Sequence, residues 1–93
     1  MTKQVRARAV ITGKVQGVYF RAETQRAAKQ KNVLGWVKNR PDGSVEALLE
    51  GGEPSVKAML EWCRQGSPFS RVHHVKIVWE PYVGDFERFE IVF

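Results

Sequence analysis

The apolar residues of this chain change period along its length, and they do so twice in the same order. Residues 5–12 alternate, with Val5, Ala7, Ala9 and Ile11 on one side and Arg6, Arg8 and Thr12 on the other. That period of two is the mark of a half-buried strand. Val10 interrupts the polar side, so some cover is expected there too. From Phe20 to about Lys31 the residues are good helix formers, and Phe20, Thr24, Ala27 and Ala28 share one helical face. Asn32 suits the left-handed position just past a helix end. The second round begins with strands at Leu34 to Asn39 and Ser44 to Glu50, joined by the turn Arg40-Pro41-Asp42-Gly43. Gly51-Gly52 then breaks the chain, and Glu53-Pro54-Ser55 opens a second helix. Val56, Met59, Leu60 and Cys63 recur at i, i+3, i+4 and i+7, and Gly66 and Pro68 end the helix. Val75, Ile77 and Trp79 alternate as one more strand, and Phe89, Ile91 and Phe93 as the last, with Pro81 to Asp85 between them.

Each helix has one apolar stripe and so needs one apolar surface. The order βαββαβ with an extra C-terminal strand predicts an α+β fold. It is a ferredoxin-like α/β sandwich, an antiparallel sheet with two helices on one face. Ninety-three residues fit a single domain over 1–93.

Residue inventory removes several chemistries. The one cysteine, Cys63, allows no internal disulfide and no cysteine cluster, and it lies on the apolar stripe. His73 and His74 are adjacent, so on a strand they point to opposite faces and do not chelate one metal together. No metal site is expected. No apolar run approaches the ~20 residues of a membrane span, and the first residues lack the apolar core of a signal peptide. A reducing cytoplasm is the expected setting, and a monomer is the default for so small a chain.

Charge is unevenly spread. Residues 1–40 hold ten Lys and Arg against one acid, Glu23, while the remainder holds five against nine. Such a half suits an anionic partner: nucleic acid, a surface or a phosphate ligand. On charge alone, a solvated basic surface with no partner is the favoured reading.

Candidate chemistry gathers at Lys14-Val15-Gln16-Gly17-Val18-Tyr19-Phe20-Arg21, between a strand and a helix start. Free N–H groups at a helix N-terminus attract phosphate oxygens, and Gly17 permits close approach. No Lys-Ser/Thr pair follows, so this is not a nucleotide-binding P-loop. By glycine content alone it reads as a plain strand-to-helix turn. Arg21 opposes the helix dipole at a cost of roughly 0.3–1 kcal/mol, which makes sense if an anion completes the cluster. Its guanidinium forks onto two phosphate oxygens, as lysine does not. Solvent, Glu23 or Glu90 are the bland destinations for it. Asn39 either starts the turn through its side chain or orients a water with its donor and acceptor.

These segments closely resemble the acylphosphatase family, small enzymes that hydrolyse carboxyl-phosphate mixed anhydrides. Ile11 to Arg21 matches the family's first signature, and Gly35-Trp36-Val37-Lys38-Asn39 with Gly43, Val45 and Gly51 matches the second. Gly66-Ser67-Pro68-Phe69-Ser70-Arg71-Val72 is similar to a third family segment, with Ser70 where alanine is usual. The resemblance implies that Val15, Gln16, Gly17, Val18, Tyr19 and Phe20 cradle a phosphate with backbone amides. It implies that Arg21 grips the phosphate oxygens and Asn39 holds the attacking water. It further implies an acyl phosphate substrate, inorganic phosphate as product, and neither metal nor organic cofactor. Lys14, Lys38 and Arg40, near this pocket in sequence, are candidates for steering a dianion.

Two competitors share the fold: an RNA-binding module and a non-catalytic anion-sensing domain. An RNA module stacks bases on aromatics of its central strands. Ser44 to Glu50 holds no aromatic and two acids, which argues against nucleic acid as the partner. Membrane is not expected as a partner either.

Overall fold

A computed structural model of the chain describes residues 2–93. The elements run β1 (Gln4–Lys14), α1 (Phe20–Gln30), β2 (Leu34–Asn39), β3 (Val45–Gly52), α2 (Glu53–Gln65), β4 (Arg71–Glu80) and β5 (Phe89–Ile91). They build one sheet in the order β4-β1-β3-β2-β5. The first four strands in that order pair antiparallel. The expected ferredoxin-like sandwich is what forms.

Both helices cover one face. Val5, Ala7, Ala9 and Ile11 of β1, Val37 of β2, and Val45, Ala47 and Leu49 of β3 form one buried cluster with helix residues. Phe20, Ala27 and Ala28 from α1 and Val56, Met59, Leu60 and Cys63 from α2 complete it. The helical faces legible in the sequence are therefore the buried ones. Burial pushes the Cys63 thiol up to about 12, which leaves it inert as a nucleophile. Trp62 packs on Phe20 with ring centroids 5.6 Å apart.

The opposite face carries a charge ladder. Arg8 bridges Glu80 at 2.8 Å and Glu46, and Arg6 reaches Glu50 at 3.4 Å and Glu80 at 3.3 Å. Trp36 lies beneath Arg8 and Lys38. Two of the ten basic residues in positions 1–40, Arg6 and Arg8, are thus paired within the sheet with acids from β3 and β4.

Three expectations change. The sheet is mixed, because β5 adds parallel to β2, with Phe89 opposite Gly35 and Ile91 opposite Val37. Residues 81–88 carry the chain from the β4 edge to the β2 edge, so β5 enters alongside β2 and in its direction. The last strand stops at Ile91, and Phe93 lies beyond it, 99% exposed. Gly51-Gly52 does not end β3. Both residues still pair, with Val5 and Gln4, because the ladder to β1 overrides the low strand propensity of glycine.

Candidate active site

The end of β1, the start of α1, and the ends of β2 and β5 meet at one end of the sheet. They enclose a cleft of about 390 Å³ lined by Val15, Gly17, Tyr19, Phe20, Arg21 and Ala22, with Asn39, Ile91 and Phe93 across from them.

Residues 15–19 link β1 to α1, and the loop is pinned by its own apolar side chains. Val15, Val18 and Phe20 are buried in the core, so the backbone between them is held over it. Gln16 ties the loop sideways, its Nε2 donating to the carbonyls of Arg40 and Ser44 at 2.8 Å each. Those carbonyls belong to the turn that follows Asn39, so one side chain locks the loop against the end of β2. Gly17 (φ 72°) and Tyr19 (φ 62°) both adopt left-handed backbone. An added Cβ at Gly17 would meet open space, so backbone conformation rather than crowding favours glycine there.

Tyr19 is the N-cap of α1, and no side chain caps that end. Among the described residues, the amides of residues 16–22 donate to no backbone carbonyl outside regular elements; the first amide of α1 to find one is Glu23, bonded to Tyr19 O at 3.0 Å. A run of free donors at a helix N-terminus is an anion-binding arrangement. Tyr19 itself is 76% exposed and pays the strain of a bulky residue in the left-handed region, on the order of 1–3 kcal/mol.

Arg21 opens onto the same cleft. Its guanidinium lies 5.0 Å from the centroid of the Phe93 ring. The two acids that could have claimed it are engaged elsewhere, Glu23 with Arg26 at 3.6 Å and Glu90 with Arg88 at 3.7 Å. Arg21 thus makes no ion pair among the described residues, and its charge faces the cleft.

Asn39 does not build the turn. The turn is held by Arg40 N to Ser44 O at 2.8 Å, Gly43 N to Arg40 O at 3.1 Å, and Ser44 N to the Asp42 carboxylate at 3.0 Å. The Ser44 hydroxyl donates to the same carboxylate, and it and the Ser44 amide hold the Asp42 carboxyl below its usual range. The Asn39 Oδ1 is buried and accepts no hydrogen bond from any described residue. Asn39 itself lines the cleft.

The steering residues separate. Lys38 alternates with Val37 and so faces the far side of the sheet, 3.9 Å from Glu46 and over Trp36. Arg40 sits 4.0 Å from Asp42, and Lys14 is exposed at the end of β1. Sequence reasoning missed Ile91 and Phe93 as cleft residues, and nothing local pointed to them, since a parallel β5 is what delivers them. Among the described residues, no group of three or more His, Cys, Asp or Glu converges to hold a metal ion.

Comparison with known proteins identifies the family. The acylphosphatase family model matches residues 7–91. The chain is 53% identical over 88 residues to an acylphosphatase of Syntrophobacter fumaroxidans, covering 95% of this chain and 91% of that one. An acylphosphatase of Pelotomaculum thermopropionicum is 46% identical over 90 residues, with 97% and 98% covered. Among solved structures, the crystal structure of acylphosphatase from Bacillus subtilis superposes with a TM-score of 0.92 at 39% identity, covering 96% of this chain and 99% of that one. The chain belongs to the acylphosphatase family.

Proposed function

We propose that this chain hydrolyses acyl phosphates to a carboxylate and inorganic phosphate, with residues 1–93 acting as one catalytic unit. The phosphate sits on the free amides of the 15–20 loop and the first turn of α1, and Arg21 forks onto its oxygens. Asn39 holds a water in line with the phosphorus. The water oxygen bonds to phosphorus as the bond from phosphorus to the acyl oxygen breaks, and the acyl group departs as carboxylate.

The observation that carries this reading is the shared cleft. Free loop amides, an unpaired guanidinium and Asn39, whose side-chain oxygen has no protein partner, come together at it. The chemistry suits so sparse a set of groups. Carboxylic acids have pKa values near 4, so the leaving group requires no general acid. Phosphoryl transfer through a loose transition state depends on positioning and charge stabilisation rather than on a strong base. Metal-free turnover follows from that logic. No helix among the described residues is long and apolar enough to cross a membrane. The same reading has the protein working as a cytoplasmic monomer, which sizing in solution and fractionation would check.

The test is hydrolysis of acetyl, carbamoyl and benzoyl phosphate by the wild-type protein, with and without chelator. Turnover that persists in chelator supports the reading. Failure on all three substrates, or inhibition by chelator, would refute it.

A further inference from the structure

A buried carboxylate sits at the end of the sheet opposite the cleft. Glu50 lies near the end of β3, opposite Arg6 and Leu34, whereas Asn39 pairs with Val45 at the strand's beginning. Glu50 is 2% exposed. Its Oε2 accepts from Val83 N at 2.9 Å and its Oε1 from Gly84 N at 3.2 Å, and Arg6 Nη1 approaches Oε2 at 3.4 Å. Two consecutive amides converging on one anion form a nest, filled here by the protein's own side chain. Gly84 makes the convergence feasible with φ 81°, and a Cβ there would press on the Tyr82 ring.

The segment held this way, residues 81–88, is a strap with little else to fix it. Between Pro81 and Glu87 its backbone makes no other hydrogen bond to the described residues. It leads directly into β5, which has three residues and a single neighbouring strand. At its start Gly35 N donates to Arg88 O at 3.1 Å, and past its end Val92 N donates to Val37 O at 2.9 Å. β5 is also held at Phe89, whose ring is buried in the core and whose carbonyl accepts from Gln25 Nε2 at 3.0 Å, while Ile91 to Phe93 lie past that anchor. Its far end supplies Ile91 and Phe93 to the cleft, and the Phe93 ring supports the Arg21 guanidinium.

We propose that Glu50 is a positioning residue for phosphate binding, a buried latch that fixes the strap and thereby sets where β5 places Ile91 and Phe93 against Arg21. The proposal rests on the reading of the cleft as a phosphate site. Asn39 stands on β2, held by β3 and by the turn that Gln16 clasps, so it does not depend on the strap. Loosening the latch therefore acts on Arg21 and leaves the water-holding side in place.

Glu50→Gln presents one oxygen and one amino group to two N–H donors, so it loses one strap bond and sets donor against donor. Gly84→Ala strains the same nest from the strap side without touching Glu50 or the core. For both variants we expect KM for acetyl phosphate and the Kd for inorganic phosphate to rise about fivefold, the low end of couplings between separated sites. We expect kcat to change by less than about twofold, which marks lost binding rather than lost chemistry. Amide exchange at Val92 should quicken in the same two variants. Faster exchange at Val92 with unchanged phosphate affinity would overturn the proposal, as would a fall in kcat at constant KM. Should the wild type hydrolyse no acyl phosphate, the proposed function fails by itself, and the phosphate-binding and exchange measurements still decide the latch. Should Glu50→Gln fail to fold, Gly84→Ala carries the test.

Discussion

Replacing Asn39 by alanine separates the two roles available to it, because only the turn-building role predicts a loss of stability. A turn-building side chain would be missed, and its loss would destabilise the hairpin by about 1 kcal/mol, as for other lost side-chain to backbone bonds. The turn in fact uses Arg40, Gly43, Ser44 and Asp42 and no side-chain atom of Asn39. The Oδ1 of Asn39 is instead a buried acceptor without a protein partner. Such a group costs about 1–3 kcal/mol of desolvation. A water held there satisfies it, and the turn keeps its own bonds without Asn39, so alanine should leave stability within about 0.5 kcal/mol of wild type. For a domain of this size that keeps Tm within about 2–4 °C. Activity should drop, with kcat on acetyl phosphate falling about 10²–10³-fold, as when one positioned polar group is removed from a transition state. The Kd for inorganic phosphate should stay close to wild type, since the loop amides and Arg21 are untouched. The assays are thermal unfolding, steady-state hydrolysis and phosphate titration on the same preparation. A lower Tm with near-normal kcat would refute the water-holding role and return Asn39 to the turn.

Other outcomes follow from the same geometry. Arg21→Lys keeps the charge but loses the fork, and turnover should fall by at least about 10²-fold with weakened phosphate binding, measured by hydrolysis and titration. Gln16→Ala removes two bonds of 2.8 Å while leaving the loop amides in the chain. It should cost about 1–3 kcal/mol in denaturant unfolding and raise KM, and an unchanged unfolding midpoint would contradict the clasp. The hydrogen bond from Arg8 holds the Glu80 carboxyl below its ordinary 4.5. A carboxyl depressed by folding adds stability above its unfolded value and loses it as pH falls through the folded one. Glu80→Gln should therefore shrink the drop in Tm between about pH 5 and about pH 3. A full wild-type drop would show that other acids dominate.

Much of this molecule is legible from local pattern alone, for reasons that are themselves local. The period-two run at Val5 to Ile11 and the stripe Val56, Met59, Leu60 and Cys63 each name a buried face, because a strand or helix with one apolar side has one way to bury it. Asn32 takes φ 58° just past α1, as its short polar side chain permits. The loop from Val15 to Phe20 and the odd cation Arg21 stand out because a free helix end and an opposed dipole are properties of the segment. Residues held by distant neighbours are not legible in this way. The basic excess reads as an invitation to an anion, yet Arg6 and Arg8 are answered by Glu46, Glu50 and Glu80 across strand pairings between 38 and 74 residues apart. The direction of β5 also escapes the sequence, since alternation is the same in a parallel and an antiparallel strand. Sequence thus determined the elements, the helix-covered core and the loop that leads into a free helix end. Only the tertiary structure decided that Arg21 lies free beside Phe93, that Asn39 is orphaned rather than spent on its turn, and that Lys38 faces away. Those outcomes turn on which side chains meet across the sheet, and strand order and register set that after the local preferences have been met.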